Sequence, residues 1–306
     1  MTQLINPTKF TNTVGLLRSF FLDKGFLEVH TQNRLSILAA CEDPFNVATY
    51  NYAGQVWPLP QTGQMWLEHE LLSSPDSKGF FCVSTSYRQE PNAVEGRHDI
   101  IFPMFEFEMP GDVNDLKQME IELCDYLGFP KLSDQTYYKW ASDFDVEELD
   151  HEHEEKIKYG MITHFPEFTS PFWNMSRNAD GVTSKKIDVI LGGMETIGSA
   201  ERSTDVEQMR DTFHTITNGE YSELLYKLFG KDRVEAELEK FLEFDFFPRT
   251  GGGIGMTRMI AALDTLETKG KVPMGMIQKG TSIKGPLMQE DKGETLVIDG
   301  KHVVAY

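Results

Sequence analysis

Cysteine is scarce in this chain. Cys41, Cys82 and Cys124 are the only three in 306 residues. Their number is odd and their spacing suits no metal, which speaks against a disulfide framework or a thiolate site. They read as reduced thiols of a cytosolic protein, each a small apolar side chain. Long apolar runs are absent too: none approaches the roughly 18 residues that span a bilayer. Met1 to Phe10 has no basic stretch followed by an apolar one, so no secretory signal is expected and a cytoplasmic location is. Basic residues are few, 29 against 48 acidic ones, for a net charge of −19. A protein that grips a nucleic-acid backbone needs a basic face, and no cluster of Lys and Arg stands out. Repeats, low-complexity segments and Gly/Ser linkers are missing as well. What remains is an ordinary soluble composition, 40% hydrophobic and 25% charged, long enough for one large domain or two small ones.

The pattern along the chain predicts mixed secondary structure. Phe10, Val14, Leu17 and Phe21 recur at helical spacing up to Gly25. Phe26 to Thr31 alternates as a strand. Phe80 to Tyr87 and Ile101 to Met109 read as strands joined by the turn-rich stretch Gln89 to Gly96, an antiparallel hairpin with a long loop. Asn114 to Leu127 reads as a helix, and the acidic stretch Phe144 to Lys158 as another. Lys186 to Leu191 and Met194 to Ser199 form a strand pair across Gly192-Gly193. Asp205 to Phe213 and Tyr221 to Leu242 are amphipathic helices, and a helix from about Thr257 to Leu266 follows Gly251 to Gly255. Thr295 to Ala305 reads as a terminal hairpin around Asp299-Gly300. Hairpins with intervening helices predict an α+β fold, an antiparallel sheet flanked by helices.

Three segments can carry chemistry. In the first, Arg88-Gln89-Glu90 and Arg97-His98 stand at the two ends of the hairpin loop. Arginine's planar fork binds two oxygens at once and stays protonated, so such a pair can bracket a polyphosphate. Phe102 on the return strand can stack beneath a purine. The alternative is a surface hairpin with solvated charges. In the second, Lys186 to Arg202, Asp188 and Glu195 fall on adjacent strands. Two such carboxylates can hold Mg²⁺ with phosphate oxygens completing the shell; the alternative is a buried ion pair. Arg202 follows two small residues and can meet a substrate carboxylate. In the third, Pro248 to Arg258, four glycines in five residues let backbone approach a flat ligand. This segment lacks the Gly-Lys-Ser/Thr of a P-loop and the preceding strand of a dinucleotide fingerprint; a tightly packed Gly-rich strand is the alternative. His151-Glu152-His153-Glu154-Glu155 does not share one helical face at i,i+2 and reads as a solvated acidic helix.

In order and content these segments resemble the class II aminoacyl-tRNA synthetases, in particular the aspartyl/asparaginyl group and its relative, the ammonia-dependent asparagine synthetase. Gly25 to Val29 resembles the dimer-forming first motif, with Gln32 near the place of its proline. Thr62 to Glu68 resembles the asparaginyl segment that faces the amino acid. Arg88 to Glu90 with Arg97-His98 resembles the second motif, and Asn178 to Arg202 the stretch that ends in arginine. Gly251 to Arg258 resembles the third motif, and Thr250 to Arg258 is nearer to asparagine synthetase than to the tRNA ligases. The likeness covers about residues 8 to 268.

The resemblance implies ATP and Mg²⁺ as cofactors and an acyl-adenylate intermediate. It implies Arg88 between the α-phosphate and the substrate carboxylate, and Glu90 and Phe102 on adenine. It places Arg97, His98 and Arg258 on the β- and γ-phosphates, and Asp188 and Glu195 on Mg²⁺. Gln64 would contact the amino acid's α-amino group and Arg202 its side-chain end, with Glu68 in the same substrate-facing segment; Arg88 and Arg258 would be the catalytic pair. Three departures bear on side-chain specificity: Ile101 replaces a glutamate, Leu67 falls at the aspartyl enzymes' lysine, and Arg249 replaces a histidine. The core begins by residue 8, leaving no room before it for an anticodon-binding barrel, and some 38 residues follow Thr268. The expectation is a catalytic domain over 1–270 with an extension over 271–306, a homodimer joining aspartate to ammonia. tRNA is not expected as a partner. Transfer of the activated amino acid to tRNA, a carrier or another amine is the alternative; a non-catalytic amino-acid or nucleotide sensor is a third.

Overall fold

The computed structural model describes residues 4–32, 47–88, 99–169, 172–267, 296–298 and 301–303. In chain order its elements are α1 (Pro7–Asp23), β1 (Leu27–Glu28), β2 (Thr49–Tyr52), β3 (Gln55–Pro58), α2 (Gln64–Ser73), β4 (Phe80–Tyr87), β5 (Ile101–Pro110), α3 (Val113–Tyr126), β6 (Ser133–Thr136), α4 (Tyr137–Phe144), α5 (His151–Ile157), β7 (Tyr159–Pro166), β8 (Thr183–Leu191), β9 (Met194–Glu201), α6 (Val206–Thr215), α7 (Glu220–Phe229), α8 (Lys231–Leu242), β10 (Arg249–Gly255), α9 (Met256–Glu267), β11 (Leu296–Ile298) and β12 (Lys301–Val303).

One eight-stranded sheet organises them, in the order β1-β4-β5-β10-β9-β8-β7-β6. Its neighbours pair antiparallel except β1 with β4 and β6 with β7. Strands alternate side chains between faces, and the registers place Phe105, Phe107, Ile197 and Ile254 on one face. There they join Leu17 and Phe21 of α1, Leu116 and Leu123 of α3, and Met259 and Leu263 of α9 in the main core. The opposite face carries the polar residues. Over it lies α2, whose Leu67 and Leu71 pack on Phe80 and Cys82. Its Met65, Trp66 and Leu72 turn outward to the α6–α8 helices. An element buried on two sides keeps only one edge for polar work, and that edge holds Gln64 and Glu68.

The expected α+β sheet flanked by helices is present, as are both central hairpins and the terminal β11–β12 pair. The differences have local causes. Residues 27–28 alone pair in the segment read as a six-residue strand. The acidic stretch 144–158 is not one helix: Asp145 adopts a left-handed conformation (φ 57°), and Asp150 caps a new helix through Glu152 N and His153 N. Residues 221–242 break at Gly230, whose φ of 89° suits glycine. The buried, free thiols of Cys82 and Cys124 match their reading as small apolar groups; Cys41 lies outside the described residues. Among the described residues, no helix is long and apolar enough to cross a membrane.

Candidate active site

The glycines of β10 make the floor. Gly253 pairs with Glu106 on β5 and Gly198 on β9, so all three point to the polar face. A methyl group at 253 would lie 2.6 Å from Met104 Cε, and one at 251 only 1.8 Å from Glu108 Oε2. The strand is tightly packed, as the alternative reading of this segment had it. Above the floor opens a cavity of about 310 Å³, lined by Arg88, Phe102 and Arg258 and by Gln64 and Arg202.

The hairpin β4–β5 positions one part of this lining. Arg88 N donates to Ile100 O (2.8 Å), closing the neck of the loop, and the Arg88 guanidinium lies 5.7 Å from the centre of the Phe102 ring. Glu90, Arg97 and His98 lie outside the described residues. Arg258, in the first turn of α9, donates from Nη1 to Glu195 O at 2.7 Å.

Glu106 fixes the start of α2. It is fully buried, accepts from Gly63 N at 3.0 and 2.9 Å and takes the hydroxyls of Thr62 and Ser84. Burial pushes its carboxyl up, against these hydrogen bonds. Gln64 is thereby aimed at Arg202, whose Nη2 donates to Gln64 Oε1 at 3.2 Å. Gln64 Nε2 is buried and has no partner among the described residues, so the amide presents a donor. Arg202 itself donates from Nε and Nη2 to the two oxygens of Glu108, both at 3.2 Å. The fork expected to meet a substrate carboxylate is therefore already balanced by a carboxylate of the protein. Burial pushes Glu108 up and Arg202 pulls it back. Glu68, expected to face the amino acid, is instead fully engaged. It accepts from Asn174 (2.8 Å) and from Arg249 Nε and Nη2 (3.0 and 2.7 Å). Two arginines and two glutamates thus form a paired, buried network behind Gln64.

Asp188 and Glu195 do converge. Asp188 Oδ1 and Glu195 Oε1 both lie within 4 Å of the point where a side chain at Gly198 would begin. Asp188 Oδ1 is buried and has no hydrogen-bond partner among the described residues. Oxygen donors of this kind, one of them unsatisfied, fit Mg²⁺. Asp188 Oδ2 accepts from Lys186 Nζ at 2.6 Å. Burial raises the Asp188 carboxyl, partly countered by Lys186. Burial pulls Lys186 down, and Asp188 and Glu195 more than offset it, for a net rise. No group of three or more metal-ligating side chains occurs among the described residues, the His151 to Glu155 stretch included. His153 serves in its own helix cap, while Glu154 reaches across to accept from Glu195 N (3.0 Å).

Lys186, Glu106, Glu108 and Asn174 were not read as site residues. The first three left a signal: Lys186 precedes Asp188 by two on a strand, and Glu106 and Glu108 alternate with phenylalanines. Asn174 sits outside any regular element and left none.

The chain belongs to the class II tRNA synthetases (D, K and N), whose family model matches residues 8–269. No curated protein matches it in sequence. Among solved structures it resembles asparaginyl-tRNA synthetase from Pyrococcus horikoshii complexed with asparaginyl-adenylate. That match has a TM-score of 0.69 at 17% identity, over 85% of this chain and 65% of that one. The Entamoeba histolytica asparaginyl-tRNA synthetase in complex with asparaginyl-adenylate gives 0.65 at 17%, over 84% and 63%. A putative aspartyl-tRNA synthetase from Leishmania major Friedlin gives 0.67 at 15%, over 85% and 62%. The chain spans less than two thirds of the length of each, and at these identities the likeness is one of fold.

Proposed function

We propose that the chain is an ATP-dependent ligase that activates an amino-acid carboxylate as an acyl-adenylate. One observation carries the reading: Arg88, Phe102 and Arg258 line the same glycine-floored cavity as Gln64 and Arg202. A carboxylate oxygen attacks the α-phosphorus of ATP, the bond to pyrophosphate breaks, and a mixed anhydride forms. Arg88 bridges the α-phosphate and the carboxylate, where charge develops. Phe102 supports the adenine, and Arg258, with Arg97 and His98, takes the outer phosphates. Asp188 and Glu195 would hold Mg²⁺, which supplies neutralising charge to the phosphates when bound. Gln64 Nε2 donates to an oxygen of the amino acid, not to the α-amino group expected from the sequence. An ammonium only donates, and Gln64 Oε1 already accepts from Arg202. No protein nucleophile is required.

The finer reading is that aspartate is activated and ammonia attacks the anhydride, giving asparagine, AMP and pyrophosphate. The likeness of Thr250 to Arg258 to asparagine synthetase supports it, as does the net charge of −19, which disfavours a polyanionic acceptor. A second reading, transfer to tRNA, is favoured by the tRNA synthetases among the structural neighbours. AMP release, measured for each amino acid with and without ammonium, separates them. We expect release with aspartate to rise with ammonium and asparagine to accumulate, with no specific tRNA binding at physiological salt. Release indifferent to ammonium, or aminoacylation of bulk tRNA by the pure protein, overturns the first reading for the second.

A further inference from the structure

Lys186 stands two residues before Asp188 on β8 and so on the same face. Its Nζ is 2.6 Å from Asp188 Oδ2 and 4.0 Å from the centre of the Phe165 ring, a position held by an ion pair and a cation–π contact together. The side chain lines the cavity beside Glu195. The charges around this point can be counted. Asp188, Glu195 and Glu154, which caps Glu195 N from α5, are carboxylates. Lys186 and Arg258, 3.8 Å from Glu195 Oε2, are cations. A divalent cation arriving alone meets a pair already countered by two cations, with one oxygen of Asp188 taken.

We propose that Lys186 is a built-in counter-cation for the Asp188–Glu195 pair, so that the pair takes a divalent metal together with nucleotide and only poorly before it. The inference rests on the metal assignment above. In the empty cleft the ammonium keeps Asp188 in place and lowers the pull of the pair on free metal. Nucleotide phosphates offer the ammonium other oxygens, and Lys186 then releases Asp188 Oδ2 while donating to phosphate. No bond is made or broken covalently; one hydrogen-bonded ion pair is exchanged for another. Lys186 thereby couples metal to nucleotide, and binding order is a property that a purely structural lysine would not set.

The test is titration of the full chain with Mn²⁺ alone, followed by electron paramagnetic resonance, with and without a non-hydrolysable ATP analogue. Without nucleotide, Lys186→Met should bind Mn²⁺ at least roughly tenfold more tightly than the wild type, since removing one nearby positive charge deepens the local potential. Adding Asp188→Asn to that variant should abolish the gain, and the analogue should narrow the gap between wild type and Lys186→Met. Lys186→Gln, which keeps a donor and loses the charge, carries the same expectation and serves if melting curves show Lys186→Met unfolded. If neither variant tightens Mn²⁺, while Asp188→Asn still weakens it in the presence of analogue, the proposal falls and the metal assignment stands. If Asp188→Asn and Glu195→Gln leave Mn²⁺ binding with analogue unchanged, the metal assignment falls and takes the proposal with it.

Discussion

An alanine methyl at position 251 would lie 1.8 Å from Glu108 Oε2 and 2.4 Å from Phe107 O, whereas one at 253 would meet mainly the flexible tip of Met104. The two glycines should therefore respond differently. Backbone cannot retreat within a paired strand, so Gly251→Ala should cost about 1–3 kcal/mol or more in urea unfolding. Methionine yields readily, so Gly253→Ala should cost less than about 1 kcal/mol. Its methyl stands on the cavity floor, and calorimetry should show ATP affinity falling roughly tenfold. Equal effects at both positions would contradict this division. Glu120 on α3 makes a second residue-scale case. Burial pushes its carboxyl up to about 8, and the charge of Asp188 adds to it. Neither carboxyl oxygen has a hydrogen-bond partner among the described residues, and Ser199 Oγ donates to Ile187 O instead (3.2 Å). The fold thus holds this proton more tightly than the unfolded chain does. Its contribution to stability is complete below about 4.5 and is lost as pH rises toward about 8. Glu120→Gln escapes that loss. Its Tm should exceed the wild type's by a few degrees near pH 8.5 and match it near pH 5; a gain of equal size at both would contradict the assignment.

At the scale of elements, α2 and β10 are stitched together by Glu68 and Arg249, both almost wholly buried. Removing one partner leaves an uncompensated charge, which costs about 3–5 kcal/mol, whereas replacing both with apolar groups is often nearly neutral. Arg249→Met should lose stability of that size in urea denaturation, and Arg249→Met with Glu68→Met should lose less than either single change. A loss below about 1 kcal/mol for Arg249→Met would mean the network does not hold α2. Much of the sheet was legible because hairpins announce themselves locally: period-2 stretches flank Gly192-Gly193, and Phe80 to Tyr87 and Ile101 to Met109 flank a turn-rich loop. The sheet's eight strands and their order were not, because β1, β6 and β7 are placed by distant partners. Helix ends at Asp145 and Gly230 hid inside acidic or amphipathic runs whose periodicity continues across the break. At the site, Arg88, Phe102, Glu195, Gln64, Arg202 and Arg258 were legible as motif residues, and all six line the cavity. The state of Arg202 was not, since its neutralisation by Glu108 depends on β5 and β9 flanking the glycine strand, a long-range fact.

On the proposed reading, the acidity of the whole molecule favours a small acceptor over a polyanionic one on this synthetase scaffold. The cavity joins an arginine-rich and an amide-bearing lining over one glycine floor, a form suited to holding two substrates in line for phosphoryl chemistry. The proposed step, in which an amino acid and ATP react there to give an adenylate and pyrophosphate, is reversible and can be watched without knowing the final acceptor. Amino-acid-dependent exchange of labelled pyrophosphate into ATP measures it. Exchange should require Mg²⁺ and an amino acid, be strongest with aspartate, and fall by on the order of a hundredfold or more in Arg88→Ala, the loss expected for one electrostatic anchor of the transition state. Exchange with no amino acid of the full set, or exchange untouched in Arg88→Ala, would contradict it.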